Sequence, residues 1–180
     1  ARLIKGTSKM GKELDSLGDV ISFGVAPALI MYFWNLKYLD KLGWFVCLIY
    51  VVCVALRLAR FNVNSEEGPS WKDNFFEGMP SPAGGLLILM PLIYELSDLN
   101  LNIDLRVFTP YLTIIIALLL VSKVPTLSFK KISISSKTTI FLLLTAGMIF
   151  IALLFYTFET LLAFSILYLI SIPISFLIFK

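Results

Sequence analysis

Residues 11–19 read GKELDSLGD and lead directly into an apolar run over residues 20–34. Within this stretch Gly11, Asp15 and Asp19 follow one another at intervals of four residues. A step of four on an α-helix turns about 40° and rises about 6 Å, so all three residues share one face. The pattern therefore predicts a membrane-spanning helix with two carboxylates at its polar end.

Small residues continue this face of the predicted helix. Ser22 and Ala26 extend it and Gly18 lies beside it, which lets another backbone or a phosphate approach closely. A second interpretation stays open at this point, in which the aspartates are first-turn acids favoured by the helix dipole and hydrated among the headgroups. Ionisable groups at membrane depth nevertheless mark functional sites by default.

The composition is that of a membrane protein and restricts the available chemistry. Of the 180 residues, 58% are hydrophobic, and several apolar runs approach the roughly 20 residues that cross a bilayer. The chain has no histidine, which excludes histidine bases, Ser-His triads and imidazole metal sites, so carboxylates must carry any acid-base or metal chemistry. Cys47 and Cys53 fall in one apolar run without a metal-ligand spacing, and we interpret them as packing residues.

We expect an all-α polytopic membrane protein that forms a single domain over residues 1–180. Pro27 should bend the first transmembrane helix where a neighbouring helix can satisfy the freed carbonyl. Pro82 suits the first turn of the third. Six transmembrane helices are predicted, one in the N-terminal part (1–34) and five in 42–180, at residues 9–34, 42–61, 82–96, 107–122, 138–158 and 159–179.

The lysines and arginines predict the orientation of these helices. With loops placed alternately, twelve basic residues fall on the side of the aspartates and three on the other. The positive-inside rule then places the aspartates in the cytoplasm, at an inner or plasma membrane. The three basic residues on the side opposite the aspartates are Lys37, Lys41 and Arg106. The helix interiors carry no charge, which disfavours a transporter.

The spacing Ala1-Arg2-x8-Gly11-x3-Asp15-x3-Asp19 resembles the second half of the signature of the CDP-alcohol phosphatidyltransferases. The first half of that signature, with two further aspartates and a glycine, would lie immediately before Ala1. The resemblance thus implies an N-terminally truncated chain, two further helices upstream and eight in the complete protein. Without the two upstream aspartates the fragment is expected to be inactive.

Further stretches resemble the phosphatidylserine synthase branch of that family. They are residues 14–28, LDSLGDVISFGVAPA, residues 57–62, RLARFN, residues 78–84, GMPSPAG, and residues 122–126, SKVPT. The resemblance implies transfer of a phosphatidyl group from CDP-diacylglycerol to L-serine, giving phosphatidylserine and CMP. The alternatives are a sibling enzyme that uses glycerol 3-phosphate or inositol, or a non-catalytic membrane scaffold or transporter. Membrane lipids and a second copy of the chain are further expected partners, and nucleic acid is not.

The resemblance also assigns roles to residues. Asp15 and Asp19 would be metal ligands for Mg²⁺ or Mn²⁺, with Asp19 also the catalytic base for the acceptor hydroxyl. Arg2 and Gly11, together with Asp15, would bind the CDP-lipid. Hard divalent cations held by carboxylates neutralise a diphosphate and polarise its phosphoryl group, which is the chemistry such a reaction needs.

A second group of residues is a candidate for binding the acceptor or a phosphate. Arg57 and Arg60 are three residues apart on one helix face, and a guanidinium suits a phosphate or a carboxylate. Their alternative role is to anchor the helix among the headgroups. Pro80, Ser81 and Lys123 are further candidates for binding the acceptor or a phosphate. The alternative role of Pro80 and Ser81 is to start a helix, and that of Lys123 is to set the orientation of the chain in the membrane.

Overall fold

The computed structural model describes residues 9–66, 76–99, 104–122, 125–126 and 136–178. Helices dominate this part of the chain, and one pair of two-residue strands joins two of its loops. The elements are α1 (Lys9–Val20), a π-helical turn (Ile21–Val25), α2 (Ala26–Trp34), a 3-10 turn (Leu36–Leu39), α3 (Lys41–Glu66), β1 (Phe76–Glu77), α4 (Ser81–Ile88), α5 (Met90–Leu96), α6 (Leu105–Val121), β2 (Pro125–Thr126), α7 (Ser136–Phe155) and α8 (Thr157–Ile178).

The first predicted helix is continuous but changes its winding just after Asp19. The π-helical turn Ile21–Val25 lies between α1 and α2, and Pro27 follows it. Pro27 has no N–H for the Phe23 carbonyl four residues earlier. The Tyr50 hydroxyl of α3 donates to that carbonyl over 2.8 Å. The expectation that a neighbouring helix satisfies the freed carbonyl is confirmed.

A second proline, in α6, also frees a carbonyl that a tyrosine hydroxyl satisfies. Pro110 lies inside this helix, so the Arg106 carbonyl loses its helical donor. The Tyr38 hydroxyl donates to this carbonyl. Asn35 donates from Nδ2 to the Leu105 carbonyl over 3.0 Å. The link after α2 and the start of α6 therefore lie at the same end of the molecule.

The third predicted helix, over residues 82–96, is wrong as a single element. The structure has two helices, α4 and α5, separated at Leu89, whose φ of −79° and ψ of −6° interrupt the regular winding. Pro91 accounts for the break, because it supplies no N–H to the Leu87 carbonyl four residues earlier and its ring crowds that carbonyl. Pro82 lies in the first turn of α4, as predicted.

The core lies where α3 meets α2, α4 and α6. Its fully buried side chains include Met31, Tyr50, Val54, Ile116 and Leu120. Cys47 belongs to this core and Cys53 packs against it, and both are free thiols. Their interpretation as packing residues is confirmed. The last helix, α8, is joined to the core through Tyr168, Leu169 and Ile172.

A short antiparallel pairing joins the loop before α4 to the loop after α6. Phe76 pairs with Thr126 and Glu77 with Pro125. Gly78 follows β1 with φ of +82°, and a Cβ there would lie 2.8 Å from the Ser122 carbonyl oxygen. Both the left-handed conformation and this close approach require glycine. The end of α6 and the entry to α4 are thereby held together.

Among the described residues, three helical stretches are long and apolar enough to cross a membrane: Met10–Trp34, Lys41–Val63 and Thr157–Ser175. Two shorter apolar helices span Leu105–Val121 and Phe141–Phe155. Many large apolar side chains of α7 and α8 are exposed, as expected of surfaces that face lipid. The predicted class, an all-α membrane protein, is confirmed, whereas the count of six transmembrane helices stays a prediction.

Candidate active site

A cleft of about 210 Å³ lies between α1 and the C-terminal half of α3. Asp15 and Asp19 line it from α1, and Arg57 lines it from α3. Asp15 is exposed and Asp19 half-buried. The structure thus brings together two aspartates and one arginine that lie far apart in the sequence. The remaining lining residues are Lys12, Ser16, Leu58, Phe61 and Asn62.

Polar contacts fix the spacing of the two helices that form the cleft. Asn62 donates from Nδ2 to the Ser16 hydroxyl over 2.9 Å, and that hydroxyl donates to the Lys12 carbonyl over 3.1 Å. The Lys12 ammonium in turn donates to the Asn62 carbonyl over 3.4 Å. Ser16 lies between the two aspartates in sequence, so these bonds set the position of both carboxylates relative to α3.

Arg57 reaches from the cleft into the protein. Its Nη1 donates to the Ser81 hydroxyl over 2.6 Å, and Ser81 is buried at the first turn of α4. Asp19 is close enough to act electrostatically on the guanidinium. The Arg57 Nε is buried and has no hydrogen-bond partner among the described residues. Arg57 therefore lines the cleft while one of its donors, Nε, has no acceptor in the described part of the chain.

Arg60 has a different place. Its Nη1 donates to the Val121 carbonyl over 2.8 Å, at the last turn of α6, where carbonyls lack helical donors. Arg60 is not among the residues that line the cleft. The sequence left the two arginines equivalent, and the structure separates them into one that faces the cleft and one that caps a helix.

The other predicted residues are placed as follows. Gly11 is exposed on α1, about one turn before Asp15, outside the cleft lining. Pro80 precedes α4 with extended backbone, and its carbonyl accepts from the Gly84 N–H over 3.1 Å. Pro80 therefore positions Ser81 as a helix entry. Arg2 and Lys123 lie outside the described residues.

Sequence reasoning missed several residues of this site. Asn62 and Ser16 had only weak signals, namely the position of Asn62 in the stretch RLARFN and of Ser16 midway between the aspartates. Lys12 lies three residues before Asp15, which places it on the same helical face. Tyr168 of α8 lies outside the cleft lining but close enough to affect the charge of Arg57. No local pattern in its apolar surroundings identifies it.

The donors fit a divalent cation that is shared with a phosphate. Among the described residues, no group of three or more histidine, cysteine, aspartate or glutamate side chains lies close enough together to hold a metal ion. Asp15 and Asp19 would therefore need ligands from the substrate or from water. Mg²⁺ is commonly bound by one or two carboxylates together with substrate phosphates and water. Two carboxylates one helical turn apart on an open cleft match that donor set.

The fold and the cleft together define a class, a helical membrane protein whose paired carboxylates and arginine suit a charged phosphate compound at the polar end of a membrane helix. Comparison with known proteins agrees with this class. The family model of the CDP-alcohol phosphatidyltransferases matches residues 1–119. The chain belongs to the CDP-alcohol phosphatidyltransferase family.

Several curated relatives carry the name CDP-diacylglycerol–serine O-phosphatidyltransferase. One from Mycobacterium tuberculosis is 46% identical over 93 residues, which cover 49% of this chain and 32% of the relative. One from Helicobacter pylori is 34% identical over 155 residues, covering 84% of this chain and 62% of the relative. One from Bacillus subtilis is 38% identical over 96 residues, covering 53% of this chain and 51% of the relative. The chain therefore spans about a third of the mycobacterial relative and less than two thirds of the others.

Proposed function

We propose that this protein transfers the phosphatidyl group of CDP-diacylglycerol to the hydroxyl of L-serine, giving phosphatidylserine and CMP. The names of the relatives support the substrates. The observation that carries the proposal is the convergence of Asp15, Asp19 and Arg57 on one cleft. This cleft opens at the polar end of the first membrane-spanning stretch, where a lipid headgroup and a soluble amino acid can both arrive.

The two aspartates would hold a divalent metal, and the family membership supports this dependence. When bound, the metal supplies charge neutralisation and polarisation of the phosphoryl group. We propose Mg²⁺ or Mn²⁺, because both prefer carboxylate oxygens. Asp15 and Asp19 project from one face of α1, and the contacts through Ser16 hold that face against α3. This arrangement would hold the diphosphate in position for the acceptor.

In the transfer step the serine hydroxyl oxygen bonds to the phosphorus of the phosphatidyl group. The bond from this phosphorus to the oxygen of CMP breaks, and CMP leaves with the electron pair. Asp19 accepts the hydroxyl proton as the new bond forms. A carboxylate is a weak base towards an alcohol, so this proton moves late in the step.

Positioning falls to the remaining residues. Arg57 lies opposite the aspartates and is fixed by Ser81. It can therefore pair with an anionic group of a substrate while losing little side-chain entropy. Gly11 and Arg2 would contact the CDP portion, and Lys123 a phosphate. Arg60 and Pro80 act through structure, by capping α6 and by placing Ser81.

The proposed orientation places the cleft in the cytoplasm. The end of α3 that carries Arg57 lies with the end of α6, through Arg60 and Val121. The opposite ends meet through Tyr38 and Arg106. This arrangement supports the alternation of loops behind the assignment of twelve basic residues to one side and three to the other. We also propose that the chain has six transmembrane helices and that the protein forms a homodimer.

An acceptor panel tests the proposed function. The purified full-length protein in mixed micelles is given CDP-diacylglycerol, Mg²⁺ or Mn²⁺, and one of L-serine, glycerol 3-phosphate or inositol. CMP release and the lipid product are measured. We expect release that depends on L-serine and yields phosphatidylserine. Release with glycerol 3-phosphate or inositol alone would assign a sibling reaction, and no release with any acceptor would contradict the proposal.

A further inference from the structure

Two buried polar atoms near the cleft have no hydrogen-bond partner among the described residues. They are the Arg57 Nε and the Tyr168 hydroxyl oxygen. A buried donor without a partner is costly, and most such groups in folded proteins are satisfied. These two belong to helices that are distant in the sequence, and the two side chains lie close enough to affect each other's charge. Two unpaired donors near each other indicate a binding site for a ligand that accepts hydrogen bonds.

The surroundings hold both groups in place. The Arg57 Nη1 is fixed by Ser81, and Tyr168 packs with Leu169 and Ile172 against the core. Neither side chain can turn to water without losing these contacts. Tyr168 is not among the residues that line the cleft with the aspartates, whereas the Arg57 side chain reaches from the cleft to Ser81.

We propose that the Tyr168 hydroxyl and the Arg57 Nε form a subsite that binds one oxyanion of a substrate. Both groups donate, and a guanidinium edge together with a hydroxyl matches the oxygens of a carboxylate or a phosphate. The subsite rests on the proposed function, because the oxyanion is either the carboxylate of the acceptor amino acid or a phosphate of the CDP-lipid. The subsite would give α8 a direct part in substrate binding. This helix lies beyond the residues matched by the family model.

The acceptor carboxylate suits the site well on geometric grounds. In L-serine the hydroxyl and carboxylate groups are separated by two carbon atoms. A hydroxyl beside Asp19 would therefore leave the carboxylate within a few ångströms, and Asp19 and Arg57 are near one another. The aspartates, which would share their metal with the diphosphate, line the same cleft from α1, facing Arg57 on α3.

The test compares Tyr168→Phe, which keeps the ring and removes the hydroxyl, with Tyr156→Phe, the same change at a side chain that is 66% exposed. Initial rates of CMP release are measured while L-serine and CDP-diacylglycerol are varied separately. We expect the KM of one substrate to rise about tenfold in Tyr168→Phe, since hydrogen bonds to charged groups contribute this much. A rise for L-serine identifies the carboxylate, and a rise for CDP-diacylglycerol identifies a phosphate.

A double-mutant cycle separates binding from a merely structural effect. Arg57→Lys keeps the charge and removes Nε, so its effect on the same KM should be less than additive with that of Tyr168→Phe. Additive effects, or KM values in Tyr168→Phe within twofold of those in Tyr156→Phe, would overturn the subsite.

The proposed function can fail separately. If the wild-type protein releases no CMP with any acceptor, inorganic phosphate is used as the probe, and its effect on the thermal unfolding midpoint in detergent is measured. The subsite predicts an upward shift in the wild type that is reduced in Tyr168→Phe and retained in Tyr156→Phe. Equal shifts in all three proteins, or none, would overturn it.

Discussion

Removal of the Tyr50 hydroxyl tests how the first helix is shaped around its proline. Tyr50→Phe leaves the ring in the core but deprives the Phe23 carbonyl of its donor. A buried polar group left unpaired costs about 1–3 kcal/mol, whereas hydrogen bonds between membrane helices average about 0.6 and reach about 1.7 kcal/mol. Pro27 removes the donor that a regular α-helix would supply to this carbonyl. We therefore expect a loss near the upper membrane value, about 1.5 kcal/mol.

The chain supplies a matched control for this change. Tyr38→Phe removes a hydroxyl that serves the carbonyl freed by Pro110, but Tyr38 is 48% exposed whereas Tyr50 is fully buried. Water can replace the lost donor at Tyr38, so the expected loss is within about 0.5 kcal/mol.

Reversible unfolding in mixed detergent and SDS micelles measures both variants against the wild type. The free energy of unfolding should fall clearly more for Tyr50→Phe than for Tyr38→Phe. If both changes cost the same, or if Tyr50→Phe costs nothing, the Phe23 carbonyl does not depend on Tyr50. The account of the π-helical turn that follows Asp19 would then be wrong.

Three further outcomes follow from the cleft. Excess EDTA should abolish CMP release and added Mg²⁺ or Mn²⁺ should restore it, whereas full turnover in the chelator would refute carboxylate-bound metal. Arg57→Ala should reduce kcat/KM about 10- to 100-fold, while Arg60→Ala should mainly lower the unfolding free energy, by about 1 kcal/mol; the opposite pattern would reverse the roles of the two arginines. Asp15→Asn should weaken metal and CDP-lipid binding together, whereas Asp19→Asn should retain much of the CDP-lipid affinity, and equal losses by titration would make Asp19 primarily a ligand.

Local patterns were sufficient for part of this structure. The four-residue spacing of Asp15 and Asp19 predicted their shared face because helix geometry depends only on neighbours along the chain. Pro27 predicted a freed carbonyl for the same reason. The identity of its donor, Tyr50, depends on the register between two helices, which no single segment contains. The break at Leu89 was missed because the apolar run continues through Pro91 without a polar interruption.

Tertiary contacts account for the rest of the candidate site. Arg57 and Arg60 occupy neighbouring positions on one helix, and only their partners on other helices, Ser81 and Val121, distinguish them. The contact between Asn62 and Ser16 joins residues 46 apart in sequence. Such contacts depend on how helices pack, and the sequence pattern fixes only which faces are apolar.

The proposed function requires the aspartate cleft to carry out serine-dependent phosphatidyl transfer. It is tested by the rate of CMP release from CDP-diacylglycerol, with and without L-serine, for the full-length wild type and its Asp19→Asn and Glu13→Gln variants. Glu13 is an exposed carboxylate of the same helix that does not line the cleft. We expect wild type and Glu13→Gln to release CMP only with serine, and Asp19→Asn to be slower by at least about 100-fold. Serine-dependent release by Asp19→Asn at a rate close to that of Glu13→Gln would contradict it.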